Sequence, residues 1–268
     1  MKKPERYSYS SIEAFKKCPF QFRLRYLDKI EKQDEGIEAF MGKRVHETLE
    51  FLYNEILGKR FPSLDQLMDK YQELWDSSWH SRVGVVYRKN GGLDYYRRLG
   101  MKCIAGYFRR YAPFDQPVQA NELELIFFLD GNDHYKMKGI IDRLDHRGGG
   151  VYEIHDYKTG KRLLSQYNAD RDEQLALYQV ALMQHLPDVR QVTLIWHYLQ
   201  HNTDVTSRRS GLQLEELISR VKNKIDEIRS HIESGRDFLP RESILCNWCY
   251  YWEECPVKSG SNPFLPSS

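Results

Sequence analysis

Apolar and polar positions along this chain follow two periods, and the switches between them mark out its elements. Val45, Leu49, Leu52 and Ile56 recur at helical spacing, as do Leu214, Leu217, Val221, Ile225, Ile228 and Ile232, which predicts two amphipathic helices, the second ending before Gly235. Ser10-Ser-Ile-Glu13, read as a capping box, opens a helix that carries Ile12 and Phe15, and Pro19 suits the first turn of a second helix running through Phe22 and Tyr26. Residues 62–118 read as a helical insertion, broken by a surface turn at Arg88-Lys-Asn-Gly-Gly92. From residue 121 the period shortens. In Asn121 to Asp130, Glu122 and Glu124 alternate with leucines before an apolar run that predicts a strand buried on both faces. Gly131-Asn132 turns it, and Tyr135 to Leu144 returns. Gly139 to Asp145 and Val151 to Tyr157 then flank His146-Arg-Gly-Gly-Gly150 as a hairpin. A polar loop at 160–171, a helix from Gln174, a strand from Val192 to Leu199 with one wet face and a small basic loop at Thr206 to Ser210 complete the pattern. It predicts an α/β fold with a central mixed sheet flanked by helices.

Composition narrows this further. At 268 residues the chain can bury one large core, and 40 Lys and Arg against 38 Asp and Glu leave a net charge of +2, so affinity for nucleic acid must come from a local patch. Arg97, Arg98, Arg109 and Arg110, interleaved with tyrosines, are either such a strand-binding lip or a solvated face. No run of eighteen apolar residues predicts a membrane span, and the basic start, MKKPERYSYS, lacks the apolar segment of a secretory signal, so a cytoplasmic protein is expected. Without a GxxxxGK[ST] loop, any ATP-driven motor must be a partner. The tail from Val257 to Ser268, rich in Ser, Pro and Gly, is predicted to be disordered.

Five cysteines need an account. Cys103 sits alone among apolar residues and is predicted to be an inert buried thiol. Cys246-x2-Cys249-x5-Cys255 has metal-ligand spacing, and Cys18, at a helix junction, supplies a fourth thiolate only if the chain ends meet in space. Four thiolates satisfy zinc and an iron-sulfur cluster equally well.

Candidate chemistry gathers on the hairpin. Side chains on a strand alternate, so Ile154, Asp156 and Lys158 share one face while Glu153, His155 and Tyr157 share the other. With suitable register Asp142 comes up beside Asp156, and two clustered carboxylates repel unless a hard divalent cation sits between them. Taken alone, Asp156-x-Lys158 is as well explained by a weak surface ion pair. His46 lies beside the buried stripe of its helix with Glu50 one turn on, and Gln174 and Tyr178 share a helical face.

The order of these residues changes the reading. G-x-x-D-R, a turn, then hydrophobic-x-D-Y-K-T-G resembles the core of the PD-(D/E)XK nuclease superfamily in its RecB-like branch. G-x-x-x-H-x-x-L-E around His46 and Q-x-x-x-Y at Gln174 and Tyr178 resemble further motifs of that branch, and S-Y-S-x-I-x-x-F-x-x-C-P resembles the amino-terminal signature of AddB-like nucleases. The resemblance spans roughly residues 7 to 256 as a single nuclease domain. It implies that His46, Asp142, Asp156 and the backbone carbonyl of Tyr157 hold Mg2+ or Mn2+, with Lys158 orienting or deprotonating water or neutralising the phosphate. Gln174 and Tyr178 are implied to contact DNA or support the site, with Glu124 a weaker candidate. Cys18, Cys246, Cys249 and Cys255 are implied to hold a 4Fe-4S cluster joining the chain ends, as in CRISPR-adaptation nucleases of the same plan. The expected activity is hydrolysis of DNA phosphodiesters, with single-stranded exonuclease action in repair, recombination or CRISPR adaptation and a helicase partner resting on the resemblance alone. Rival expectations are a non-catalytic DNA-binding or assembly subunit and a redox-active iron-sulfur sensor.

Overall fold

The computed structural model describes residues 2–85 and 92–258. The turn expected at 88–92, apart from Gly92, and the tail expected beyond Lys258 lie outside those residues. The amino-terminal half holds α1 (Tyr9–Lys17), α2 (Pro19–Phe22), a short β1 (Glu35–Gly36), α3 (Ile37–Leu57), α4 (Leu64–Ser78), β2 (Val83–Gly84) and α5 (Gly92–Tyr111). The sheet strands follow as β3 (Val118–Phe128), β4 (Lys136–Gly148) and β5 (Val151–Lys158). Then come α6 (Gln166–Ala169), α7 (Gln174–His185), β6 (Gln191–Tyr198), β7 (Thr203–Ser207) and α8 (Gly211–Glu233).

The five-stranded sheet runs in the order β3-β4-β5-β6-β7. Every neighbouring pair is antiparallel except β5 with β6, which run parallel. A parallel pair needs a crossover, and α7 provides it, so the carboxy-terminal end of β5 opens beside the start of that helix. One sheet face packs on α1, α7 and α8 through Phe15, Ile154, Leu177 and Ile225. The other meets α3, α4 and α5 through Leu49, Trp75, Ile104 and Tyr157. The expected mixed α/β architecture is therefore the one found.

Several expectations need correction. The capping box of α1 is Ser8 with Ser11, two residues ahead of the Ser10 start, because Ser8 holds the extended backbone that lets its hydroxyl accept from the Ser11 N–H at 3.1 Å. β3 is an edge strand, so Leu125 and Phe127 are buried while Ile126 and Phe128 are only half covered, not enclosed on both faces. Conversely β6 has no wet face near its end, since His197 lies buried beneath Tyr107, Tyr111 and Tyr157. The expected polar loop at 160–171 contains the single turn α6, capped by Ser165. The stretch expected to be a basic loop begins inside β7, and Arg209 turns inward to donate to the carbonyls of Ala169 and Asp172. On α5 Tyr96 and Tyr107 are buried, Arg97 pairs with Asp76 at 2.9 Å and Arg110 with Asp204 at 2.8 Å, while Arg98 and Arg109 stand exposed. Among the described residues no helix is long and apolar enough to cross a membrane.

Candidate active site

The site forms where β4 and β5 stop pairing. Their register places Arg143 opposite His155, and beyond that pair the strands part at Asp142 and Asp156. Freed from the ladder, the Tyr157 N–H donates to Asp142 Oδ2 at 2.8 Å. The Tyr157 carbonyl meets His46 Nε2 of α3 at 2.7 Å, and His46 Nδ1 lies 3.5 Å from Asp142 Oδ2. The helix gets this close because of Gly42, where a Cβ would stand 2.8 Å from Thr159 Oγ1. One turn further along α3, that contact delivers the imidazole to the strand end.

A third acid completes the group. Glu122 on β3 stands level with Asp142, since Asn121 pairs with Arg143 and Leu123 with Ile141. His46, Glu122 and Asp142 offer ligand atoms that all lie within 4.8 Å of one another. Glu122 has a φ of 47°, a left-handed backbone that costs a non-glycine residue of order 1 kcal/mol or more. Here side-chain alternation breaks as well. Ile141 and Leu144, three apart, enter the same core cluster, and Arg143 and Asp145 are buried on the opposite face.

Asp156 stands beside this group rather than within it. Its Oδ2 lies 2.7 Å from Lys158 Nζ, a short ion pair whose angle leaves that oxygen without a well-formed hydrogen bond. The ammonium also donates to Gln174 Oε1 at 3.2 Å, and Gln174 Nε2 donates to the Tyr178 hydroxyl at 3.1 Å. Gln174 and Tyr178 thus brace Lys158. Tyr178 packs so tightly that a Cβ on Gly139 would fall 2.7 Å from its ring. Glu124 plays no part, being exposed and paired with Lys138 at 2.5 Å, while Glu50 lies close enough for its charge to act on Glu122.

The electrostatics suit a cation. Burial pushes the Asp142 carboxyl up to about 6, Asp156 adds to the rise, and His46, the Tyr157 N–H and Lys158 oppose it. Burial, then Asp142 and Glu50, push Glu122 up to about 7. Burial pulls the Lys158 ammonium down, but Asp156 and Asp142 outweigh it, so the group ends above its ordinary value and is charged. Hard carboxylate oxygens, a carbonyl and an imidazole fit a divalent ion. A consequence for stability follows. Carboxyls whose folded pKa is raised contribute stability that is complete below about pH 4 and lost as pH rises through 6 to 7. Manganese should therefore raise the melting temperature more at pH 8 than at pH 5, as read by scanning calorimetry; equal rises at both would contradict this electrostatic account.

Beneath the strand end lies a buried polar layer. Arg143 pairs with Asp145 at 2.9 Å and donates to the hydroxyls of Tyr53 and Tyr107 and to His155. The rings of His155 and His197 stack 5.1 Å apart, both pushed down and so neutral through burial, and His197 Nδ1 meets Asp204 at 2.8 Å. The Tyr157 ring stacks on His197, which fixes the backbone that serves Asp142 and His46. Asp145, Glu153 and His155 also have ligand spacing, but Arg143 and Arg147 already neutralise the two acids.

At the far end of α1 the four expected cysteines line one cavity with Phe20, Gln21 and Trp252. Backbone N–H groups of Arg241 and Ser243 point at Cys18 Sγ and Cys246 Sγ, each at 3.4 Å. The chain ends do meet: Tyr251 donates to the Ile30 carbonyl at 2.9 Å and Lys32 pairs with Glu254 at 2.5 Å. Among the described residues no three of these sulfurs lie within 4.8 Å of one another. Cys103 is buried elsewhere, beside α4.

The model of the PD-(D/E)XK nuclease superfamily matches residues 6–256. The chain belongs to that superfamily. This PD-(D/E)XK chain is 27% identical over 135 residues, 47% of its length, to an ATP-dependent helicase/deoxyribonuclease subunit of Streptococcus mutans. It is 23% identical over 197 residues, 70% of its length, to the corresponding ATP-dependent helicase/deoxyribonuclease subunit of Streptococcus pyogenes serotype M3. It spans only 12% and 18% of those two relatives. Its fold is similar to the crystal structure of a candidate exonuclease from Eubacterium rectale, with a TM-score of 0.53 at 17% identity over 92% of this chain and 88% of that one. Sequence reasoning offered Glu124 as a weak candidate on this PD-(D/E)XK chain and passed over Glu122, the acid that strand pairing brings level with Asp142. Counting outward from Asn132 through both strands would have found it, because residues 122 and 142 are equidistant from that turn.

Proposed function

We propose that this chain is a metal-dependent deoxyribonuclease that hydrolyses phosphodiester bonds, acting on single strands from an end and working with a separate helicase in repair, recombination or CRISPR adaptation. The observation that carries the reading is the convergence of His46, Glu122 and Asp142 beside the Asp156–Lys158 pair at one strand end. The likeness to a helicase/deoxyribonuclease subunit supports the nuclease part of this reading.

Asp142, Glu122, His46 and the Tyr157 carbonyl are the groups that would hold Mg2+ or Mn2+, with the Asp156 carboxylate beside them. Such an ion polarises the phosphate and lowers the pKa of a bound water toward neutrality. The remaining work falls to the protein. Lys158, charged and held by Asp156 and Gln174, is suited to opposing the extra negative charge on the phosphate rather than to accepting a proton. The His197 and Tyr107 contacts keep Tyr157 in place, so that Asp142 and His46 stay oriented before substrate arrives.

For the cysteine cavity we propose a 4Fe-4S cluster. Four Zn–S bonds of about 2.3 Å hold sulfurs roughly 3.8 Å apart, and among the described residues no three of these sulfurs lie within 4.8 Å of one another. N–H groups aimed at two of the sulfurs supply hydrogen bonds of the kind that stabilise cluster thiolates.

An end-labelled single strand incubated with Mn2+ should shorten with time and stop doing so once chelator is added. Binding without shortening would favour the rival, an assembly subunit that keeps the nuclease core as a scaffold.

A further inference from the structure

The segment between Lys158 and α7 leaves the fold at the active site and returns to it. Thr159 packs on Gly42, and Asp172, which accepts from the Leu175 N–H at 3.2 Å, comes back within electrostatic reach of Lys158. Two hydrogen bonds from the β6–β7 turn pin the outgoing arm. Gln200 donates to the Thr159 carbonyl at 2.6 Å, and His201 to the Lys161 carbonyl at 2.8 Å. Between these anchors Lys161, Arg162, Leu163, Tyr167 and Arg171 stand in solvent, Tyr167 with 64% of its surface exposed.

Tyr167 is not loose. The Arg171 guanidinium lies 3.6 Å from its ring centroid and donates to its carbonyl at 3.2 Å, so one face of the ring is held by a cation. Among the described residues, neither Lys161, Arg162 nor Arg171 makes an ion pair, whereas Lys158 and Lys138 nearby are both paired. An exposed aromatic ring oriented by a cation, in a loop that also carries Lys161 and Arg162 without ion pairs, matches what unpaired nucleic acid offers, bases with free π-faces joined by phosphates. A duplex keeps its base faces inside the stack and offers such a ring nothing.

We propose that the 160–171 loop is the strand-holding platform of the site, with Tyr167 stacking on one unpaired base and Lys161 and Arg162 neutralising flanking phosphates. This rests on the nuclease reading of the site at which the loop's two arms begin and end, and it commits that site to single-stranded ends.

The test is binding of a fluorescent oligothymidylate in EDTA, where nothing is cleaved. Tyr167→Ala should weaken binding about tenfold and Tyr167→Trp should restore it. An abasic residue walked along the strand should, at one position, cost the wild type the same factor and cost Tyr167→Ala nothing more. Lys161→Ala with Arg162→Ala should make the salt dependence shallower by about 1.4 in log-log slope. Wild-type affinity in Tyr167→Ala, as expected of a loop that docks a protein subunit, or an abasic penalty that survives in that variant, overturns the platform. A wild type that shows all these binding effects yet never shortens a strand in Mn2+ leaves the platform standing and sinks the nuclease reading.

Discussion

Asp156→Asn is expected to lower the rate of strand cleavage at least a hundredfold, about 2.7 kcal/mol of transition-state stabilisation, while the circular dichroism spectrum stays that of the wild type. The carboxylate is nearly fully buried and lies 2.7 Å from Lys158 Nζ, so the substitution removes an anion beside the ion-holding group and the partner that keeps the ammonium charged. Burial alone pulls Lys158 down, and without Asp156 only Asp142 and Asp172 oppose that pull. Lys158→Ala should be as inactive for a different reason, and the two separate in a metal titration. Loss of Asp156 should diminish the rise in melting temperature caused by Mn2+. Loss of Lys158 leaves Asp142 and Asp156 with less neutralisation, so the rise should persist or grow. Full activity in either variant would reject the assignment, and identical metal responses would reject the division of labour between anion and cation.

The residues of the hairpin were legible because two-residue periodicity is a strong local signal. Asp156, Lys158 and Tyr157 take the faces that alternation assigns, and Lys158 reaches the α7 side where Gln174 lies. His46 was legible through its spacing from Gly42, though nothing local reveals that Gly42 matters by admitting Thr159. Glu122 was hidden for a physical reason. Alternation fails where its backbone turns left-handed, and a strained φ has no sequence signature when the residue is not glycine. The layer of Arg143, His155 and His197 was equally hidden, since a buried charge network depends on pairing across β4, β5 and β6. His197 reads as the wet face of a strand until α5 and its tyrosines are placed above it.

Protein purified without oxygen should be brown and contain iron and sulfide, and Cys18→Ser should lose both and melt far below the wild type. Structural metal sites contribute on the order of 10 kcal/mol to small domains, and residues 241–258 carry three of the four cysteines. Their ties to the body include hydrogen bonds from Tyr251 to the Ile30 carbonyl, from the Gly36 N–H to the Tyr250 hydroxyl and from Arg241 to the Lys16 carbonyl, and the pairing of Lys32 with Glu253 and Glu254. Burial, joined by the charges of the other three cysteines, already pushes the Cys249 thiol up, so without a bound core the cavity is a poor place for thiolates. Hydrogen exchange in Cys18→Ser should therefore rise first in 241–258 and in the Cys18–Ile30 arm, before β4 and β5 respond. Cys103→Ser is the control, because its sulfur packs against α4 away from the cavity, and it should keep the colour and the iron. A colourless wild type holding stoichiometric zinc would replace the cluster with a single ion, and the sulfurs would then have to close up to about 3.8 Å.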